Sequence, residues 1–113
     1  MSYRAAFVST DGKVVNAHFG KATKFHIVEI NDKDYKFIES RDNVPSCSNF
    51  QHSDESLLNA INVIKDCKVV FAAKIGEGAA NALRLHGIDP IEAPYFIEDI
   101  LKRLINSKVK LFK

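Results

Sequence analysis

Residues 69–73 read Val-Val-Phe-Ala-Ala, an apolar run with no polar side chain to face solvent. A run of this kind suits a central strand covered on both faces, so packing layers are needed on either side of a sheet. The flanking sequence supplies them. Residues 54–65 carry Leu57, Leu58, Ile61 and Ile64 at helical spacing, with Ser53 placed to cap and Asp54 and Glu55 at the positive end of the helix dipole. After the apolar run, Gly76-Glu77-Gly78 marks a turn into a second helix ending near Gly87. Residues 90–93 form a short strand candidate, and Pro94 precedes a third helix with Ile97, Ile100, Leu101, Leu104 and Ile105 along one face.

The earlier part of the chain follows a period of two rather than of a helix. Residues 3–9 predict a strand, Thr10-Asp11-Gly12-Lys13 a turn whose Asp-Gly pair accepts positive φ, and Val14 with Val15 a short returning strand, so that a hairpin opens the fold. Residues 25–30 alternate Phe25, Ile27 and Glu29 with His26, Val28 and Ile30, and the polar turn 31–34 leads into a strand over 35–41, which makes a second hairpin. Residues 42–53 are polar and irregular, and a connection of that length in a compact domain usually has a job. The expected architecture is α/β, a mixed sheet of about five strands with three helices packed on it. It is a single domain over 1–113, ending in a basic tail at 108–113.

Composition narrows the function. With 113 residues, 46% of them hydrophobic and 27% charged, the chain buries about 65% of its unfolded surface, enough for a core without disulfides or a structural metal. Sixteen basic against fourteen acidic residues give a net charge of +2, too small for a general nucleic-acid binder. No apolar stretch approaches the roughly 20 residues of a membrane span, and Met1-Ser2-Tyr3-Arg4 lacks a signal-peptide core, so a cytoplasmic location is expected. The two cysteines, Cys47 and Cys67, are too few for a secreted disulfide framework or for a cluster held by four thiolates of one chain. A metal centre would need other ligands or a second subunit.

His18-Phe19-Gly20-Lys21-Ala22 lies between two strands and joins an imidazole to a glycine and a small residue, which permit close backbone approach. With Phe25 added, the pattern resembles the signature of the dinitrogenase iron-molybdenum cofactor biosynthesis family, the group of NifX, NafY and the C-terminal domain of NifB. Cys47, the stretch Asp66-Cys67-Lys68-Val69-Val70, Ile75-Gly76-Glu77-Gly78-Ala79 and the helix end at Gly87 are similar to later landmarks of that family in the same order. The resemblance implies a ribonuclease-H-like fold that binds iron-molybdenum cofactor, its iron-sulfur precursor or a related cluster, as a carrier or assembly accessory rather than an enzyme. It also implies cluster donor and acceptor proteins as partners, with a homodimer left open as a way for two chains to share a cluster. The chain lacks the Cys-x-x-x-Cys-x-x-Cys motif of the radical domain in the cluster-building enzyme. It also departs from the family where a glycine-rich run often follows the mid-chain loop position, which reads Cys47-Ser48-Asn49-Phe50.

Among candidate cluster ligands His18 ranks first, since a neutral imidazole ligates iron or molybdenum and Lys21 and Lys24 nearby favour an anionic cluster. The loop thiol of Cys47 is a soft ligand for iron-sulfur chemistry, and His52 is near enough in sequence to join it. Cys67, His26 and His86 are read as structural. Gly76 and Gly78 offer backbone amides at a helix N-terminus, an anion site or simply a tight turn, with Lys74 as a counter-charge. His18 and Cys47 are expected to approach one surface cleft. Two other classes compete with a cluster carrier. One is a nuclease, for which Asp11 and Glu29 are the evident strand-associated carboxylates, and the other is a metal-independent regulatory module that binds a protein partner.

Overall fold

The structure, a computed structural model, describes residues 3–31, 34–43 and 54–106. Strands β1 (Tyr3–Val8), β2 (Lys24–Ile30), β3 (Tyr35–Asp42), β4 (Val69–Ala72) and β5 (Asp89–Glu92) form one sheet in the order β3-β2-β1-β4-β5. Helices α1 (Asp54–Val63), α2 (Glu77–Leu85) and α3 (Ile97–Asn106) cover it. The sheet is mixed: β2 runs antiparallel to β1 and β3, whereas β1, β4 and β5 are parallel.

Alternation along the two central strands sorts the core into two layers. Ala6 and Val8 of β1 join Val70 and Ala72 of β4 under Ala60, Ile61 and Ile64 of the α1 region and Leu83 of α2. Ala5 and Phe7 join Val69 and Phe71 on the other face, beneath Ile97, Ile100 and Leu101 of α3. All four residues of β4 are buried, as the unbroken apolar run requires of a strand with helices on both sides. Phe7 and Phe71 stack across the β1–β4 pair with centroids 4.9 Å apart and planes 12° apart. Each buried ring of this kind contributes about 1.5–3 kcal/mol through burial.

The ends of the elements follow from local chemistry. Helix α1 stops at Val63 rather than at 65, because the amides of Ile64 and Lys65 turn back to Ile61 and Asn62, the tightened i to i+3 bonds that close many helices. Helix α2 ends as its glycine predicts. Gly87 takes φ +80°, its amide bonds to the Arg84 carbonyl at 3.1 Å, and the Ile88 amide bonds to the Leu83 carbonyl at 2.9 Å, which is a Schellman closure. Pro90, lacking an N–H, is tolerated because β5 is an edge strand.

One expectation fails. Val14 and Val15 do not return alongside β1; its antiparallel partner is β2, from Tyr3 opposite Ile30 to Val8 opposite Phe25. Val14 instead bridges Phe96, just ahead of α3. Two residues cannot offer a ladder that competes with six paired positions, and burying Val15 against the α3 side of the core favours the distant partner. The second hairpin forms as expected, with an irregularity where Ile27 faces Glu39 and Val28 faces Phe37, so that Ile38 is the extra residue of a bulge. Among the described residues no helix is long and apolar enough to cross a membrane.

Candidate functional site at the carboxyl edge of the parallel strands

Open α/β sheets bind ligands beyond the carboxyl ends of their parallel strands. Here that edge is crossed by a strap, residues 9–19, linking β1 to β2. The strap opens with a turn that satisfies its own backbone. Ser9 Oγ accepts from the Gly12 amide at 2.9 Å, and Asp11 Oδ1 accepts from the amides of Lys13 at 2.9 Å and Val14 at 3.2 Å. Those two amides are the chief reason the Asp11 carboxyl is held below its usual range. Thr10 and Asn16 bond across the turn, Asn16 Nδ2 to Thr10 Oγ1 at 2.9 Å.

Beyond the turn the strap is fastened to the segments following β5 and β4. The Val15 amide donates to the Tyr95 carbonyl at 2.9 Å and the Ile97 amide to the Lys13 carbonyl at 2.8 Å. The Ala73 amide donates to the Ala17 carbonyl, and the Phe19 amide to the Lys74 carbonyl, each at 2.9 Å. His18 therefore sits in a parallel bridge with Lys74. Its side chain is exposed, its backbone is extended (φ −77°, ψ 148°), and it makes no cap bond to the 3-10 turn Phe19–Lys21 that follows. Phe19 anchors that turn from below, 2% exposed and packed on Phe25 at 5.9 Å. Ala22 is fully buried, and its carbonyl accepts from Asn43 Nδ2 at 2.9 Å, while the Asn43 amide donates to the Thr23 carbonyl at 2.9 Å. The motif is thus clamped at both ends, with the imidazole directed away from the core.

Lys74 leads directly to the second candidate feature. Gly76 is the N-cap of α2 and Gly78 lies in its first turn, both exposed. A Cβ at either would meet nothing within 4 Å, so packing demands neither glycine. The Ile75 amide is taken by Glu92 Oε2 at 2.9 Å, and Glu77 already brings a negative charge to the first turn. A shallow cavity of about 290 Å³, lined by Ile75, Ala80, Arg84, Pro90 and Glu92, flanks this turn. The backbone thus brings together His18, Lys74 and the start of α2. Cys47 and His52 lie outside the described residues, as does the Lys21 side chain, and with them the expected shared cleft of His18 and Cys47.

Other sequence candidates have structural employment. Cys67 is 4% exposed, and its thiol is pushed up to about 12, first by burial and then by the adjacent Asp66 charge. His86 Nδ1 bonds the Ala82 carbonyl at 2.8 Å within the end of α2. Asp11 and Glu29, the carboxylates a nuclease would need to converge, sit at opposite ends of the sheet: Asp11 follows β1, whereas Glu29 faces Arg4 at its start. Among the described residues no three His, Cys, Asp or Glu side chains are grouped to hold a metal ion.

A network without a sequence signal meets at Asp66, ahead of β4, reaching there from Arg4 at the start of β1 and from Arg41 near the end of β3. Asp66 accepts from Arg41 at 2.6 and 3.0 Å and from Arg4 at 2.8 Å, while Arg41 also donates to the Val63 carbonyl at 2.7 Å and to Glu39 at 2.8 Å. Arg41 chiefly holds the Asp66 carboxyl far below the usual carboxylate range, and Asp66 in turn raises the Arg41 guanidinium. These partners are too far apart in sequence to create a periodic signal.

Comparison with known proteins places this architecture. The chain is 35% identical over 114 residues to the FeMo cofactor biosynthesis protein NifB of Herbaspirillum seropedicae, covering 91% of this chain and 22% of that protein. It is 35% identical over 89 residues to the protein NifY of Klebsiella pneumoniae, covering 79% of this chain and 37% of NifY. The chain therefore spans only a minor part of these relatives. The crystal structure of PH0822 superposes with a TM-score of 0.70 at 27% identity, covering 95% of this chain and 93% of that one. The apo orange protein of Desulfovibrio gigas shares the fold, with a TM-score of 0.66 at 19% identity over 95% of this chain and 90% of that one. The sequence model of the family described as dinitrogenase iron-molybdenum cofactor matches residues 1–107, and the chain belongs to that family.

Proposed function

We propose that this domain takes part in iron-molybdenum cofactor biosynthesis by binding the cofactor, its iron-sulfur precursor or a related cluster and handing it on, as a cytoplasmic accessory without turnover of its own. The observation that carries this reading is His18, an exposed imidazole on a backbone fixed from both sides, standing beside Lys74 at the carboxyl edge of the parallel strands. A fixed backbone presents the ring without rearrangement, and an exposed ring leaves the cluster accessible to a recipient. Lys74 and Lys24 supply positive charge toward an anionic cluster, and Lys21 is a further candidate for that role. Gly76 and Gly78, at the start of α2, are the candidate backbone contacts for the cluster's organic acid. Cys47 and His52 are the candidate further ligands from the segment 44–53. One or two protein ligands, rather than a closed cage, suit a cargo that must leave again. Donor and acceptor proteins are then the partners, and a homodimer sharing one cluster is compatible with so few ligands.

A second reading, a metal-independent protein-interaction module, is favoured by Tyr95 and Phe96, which are 62% and 59% exposed on a backbone pinned by the strap. Anaerobic loading of the chain with isolated cofactor or its iron-sulfur precursor, followed by mixing with an acceptor apoprotein and metal analysis of both, separates the two. Retention of metal through desalting and its appearance in the acceptor are expected. A chain that retains no cluster while binding the acceptor would establish the interaction module instead.

A further inference from the structure

Beneath the turn at the head of the strap lies the half-buried imidazole of His26 on β2. Its Nδ1 is 3.0 Å from Ser40 Oγ on β3, and its ring packs on Phe37 with centroids 6.4 Å apart. Nε2 is buried and has no hydrogen-bond partner among the described residues. Gly12 closes over the ring: its φ is +76°, and a Cβ there would stand 3.3 Å from His26 Cε1. The side-chain oxygens of Ser9 and Asp11 take the amides of Gly12, Lys13 and Val14, so the lid over the imidazole and the start of the strap are one structure.

Several groups act on the charge of this ring. Burial is the largest influence and disfavours the imidazolium, and Lys24 on β2 adds to it. The Ser9 carbonyl and the Asp11 carboxylate favour the charged form without offsetting burial, and the carbonyl completes no hydrogen bond to Nε2. From β3 the uncharged Phe37 and Ser40 meet the ring, and Asp42 pairs with Lys24 at 4.0 Å. The ring therefore titrates below its ordinary value in the closed molecule. Lifting Gly12 would give Nε2 to water and remove the penalty, so an open strap takes up a proton more readily than a closed one.

We propose that His26 is a proton-sensitive latch beneath the strap: the neutral imidazole lets residues 9–19 lie against the carboxyl edge, and its protonation favours their lifting, which displaces His18 from Lys74. The latch stands on the packing around His26, whereas its consequence for a cluster rests on the reading of His18 given above. The sign is fixed by the depressed titration. Closure is fully stabilised above the ordinary histidine value near pH 6.5 and weakens as the pH falls through the lower value of the closed form.

Hydrogen exchange of the metal-free chain at pH 7.5 and 5.0, corrected for intrinsic chemistry, tests this. Because the open form takes up a proton more readily than the closed one, opening is more frequent in acid. Amides of Gly12, Lys13, Val14, Val15 and Phe19 are expected to lose protection at pH 5.0 relative to pH 7.5, while those of β1 and β4 stay unchanged. The loss should follow the titration of the His26 ring read by NMR. His26→Phe, a neutral ring of similar size, should abolish the response, and His26→Gln serves the same purpose if the Phe variant does not fold. A strap indifferent to pH, or an equal acid response in these variants, would overturn the latch. Because no cluster is present in this measurement, a failure of His18 as a ligand leaves its result standing.

Discussion

The brace around Asp66 and the carboxyl edge of the parallel strands use their polar groups in opposite ways. Around Asp66, ahead of β4, the side chains are spent on one another: Asp66 holds Arg4 from the start of β1 and Arg41 from near the end of β3, and Arg41 reaches on to Val63 and Glu39. At the carboxyl edge the strap is fastened to the neighbouring segments through the backbone. The strap's amides and carbonyls are taken by Lys74, Ala73, Tyr95 and Ile97, and the side chains of His18, Lys74, Tyr95 and Phe96 face solvent. A brace made of side chains stabilises the fold and has little left to offer a ligand. A scaffold made of backbone keeps its side chains for recognition.

The contrast is open to direct attack, beginning with the brace. Asp66→Ala strands two guanidinium groups and should lower unfolding free energy by about 2 kcal/mol, a figure reduced for the partial exposure of the pair, as urea titration would measure. The same variant should flatten the acid limb of the stability curve. The Asp66 carboxyl is depressed from 3.8 in the folded chain, so its contribution is present above about pH 4 and disappears as the pH falls toward the folded value. A wild-type acid limb in Asp66→Ala would assign that limb to other carboxylates.

Next in size is Gly12→Ala, which forces a Cβ into a left-handed position 3.3 Å from the His26 ring. About 1 kcal/mol of destabilisation is expected, confined to the strap, so amide exchange should rise at residues 9–19 and not in β4. Uniform loosening of the sheet would show that the strap and the core are one cooperative unit. Smallest is His18→Ala, whose effect on stability should stay within about 0.5 kcal/mol, because the ring is exposed and makes no cap bond. A larger loss would make His18 part of the framework.

Legibility in the sequence divides along similar lines. The unbroken run beginning at Val69, the alternation from Phe25 to Ile30 and the glycine after α2 each encode a local conformation, and each appears where it was expected. His18 was marked by its glycine and small neighbours, and the structure finds it exposed at the strand ends. The partner of Val14 was not legible, since Phe96 lies far along the chain and the choice depends on burying Val15 against α3. Asp66, Arg4 and Arg41 also went unread. Long-range charge pairs have no period, and each residue alone looks like an ordinary surface charge.

Anaerobic titration of isolated cofactor into wild type, His18→Ala and Asp66→Ala, at a temperature where all three are folded, bears on the division between the brace and the carboxyl edge most directly. Loss of His18 should weaken binding by about tenfold or more, equivalent to about 1.4 kcal/mol, while Asp66→Ala, though less stable, binds as wild type does. Equal affinity of His18→Ala and wild type, or an equal loss in both variants, would contradict the assignment of the cluster to the carboxyl edge.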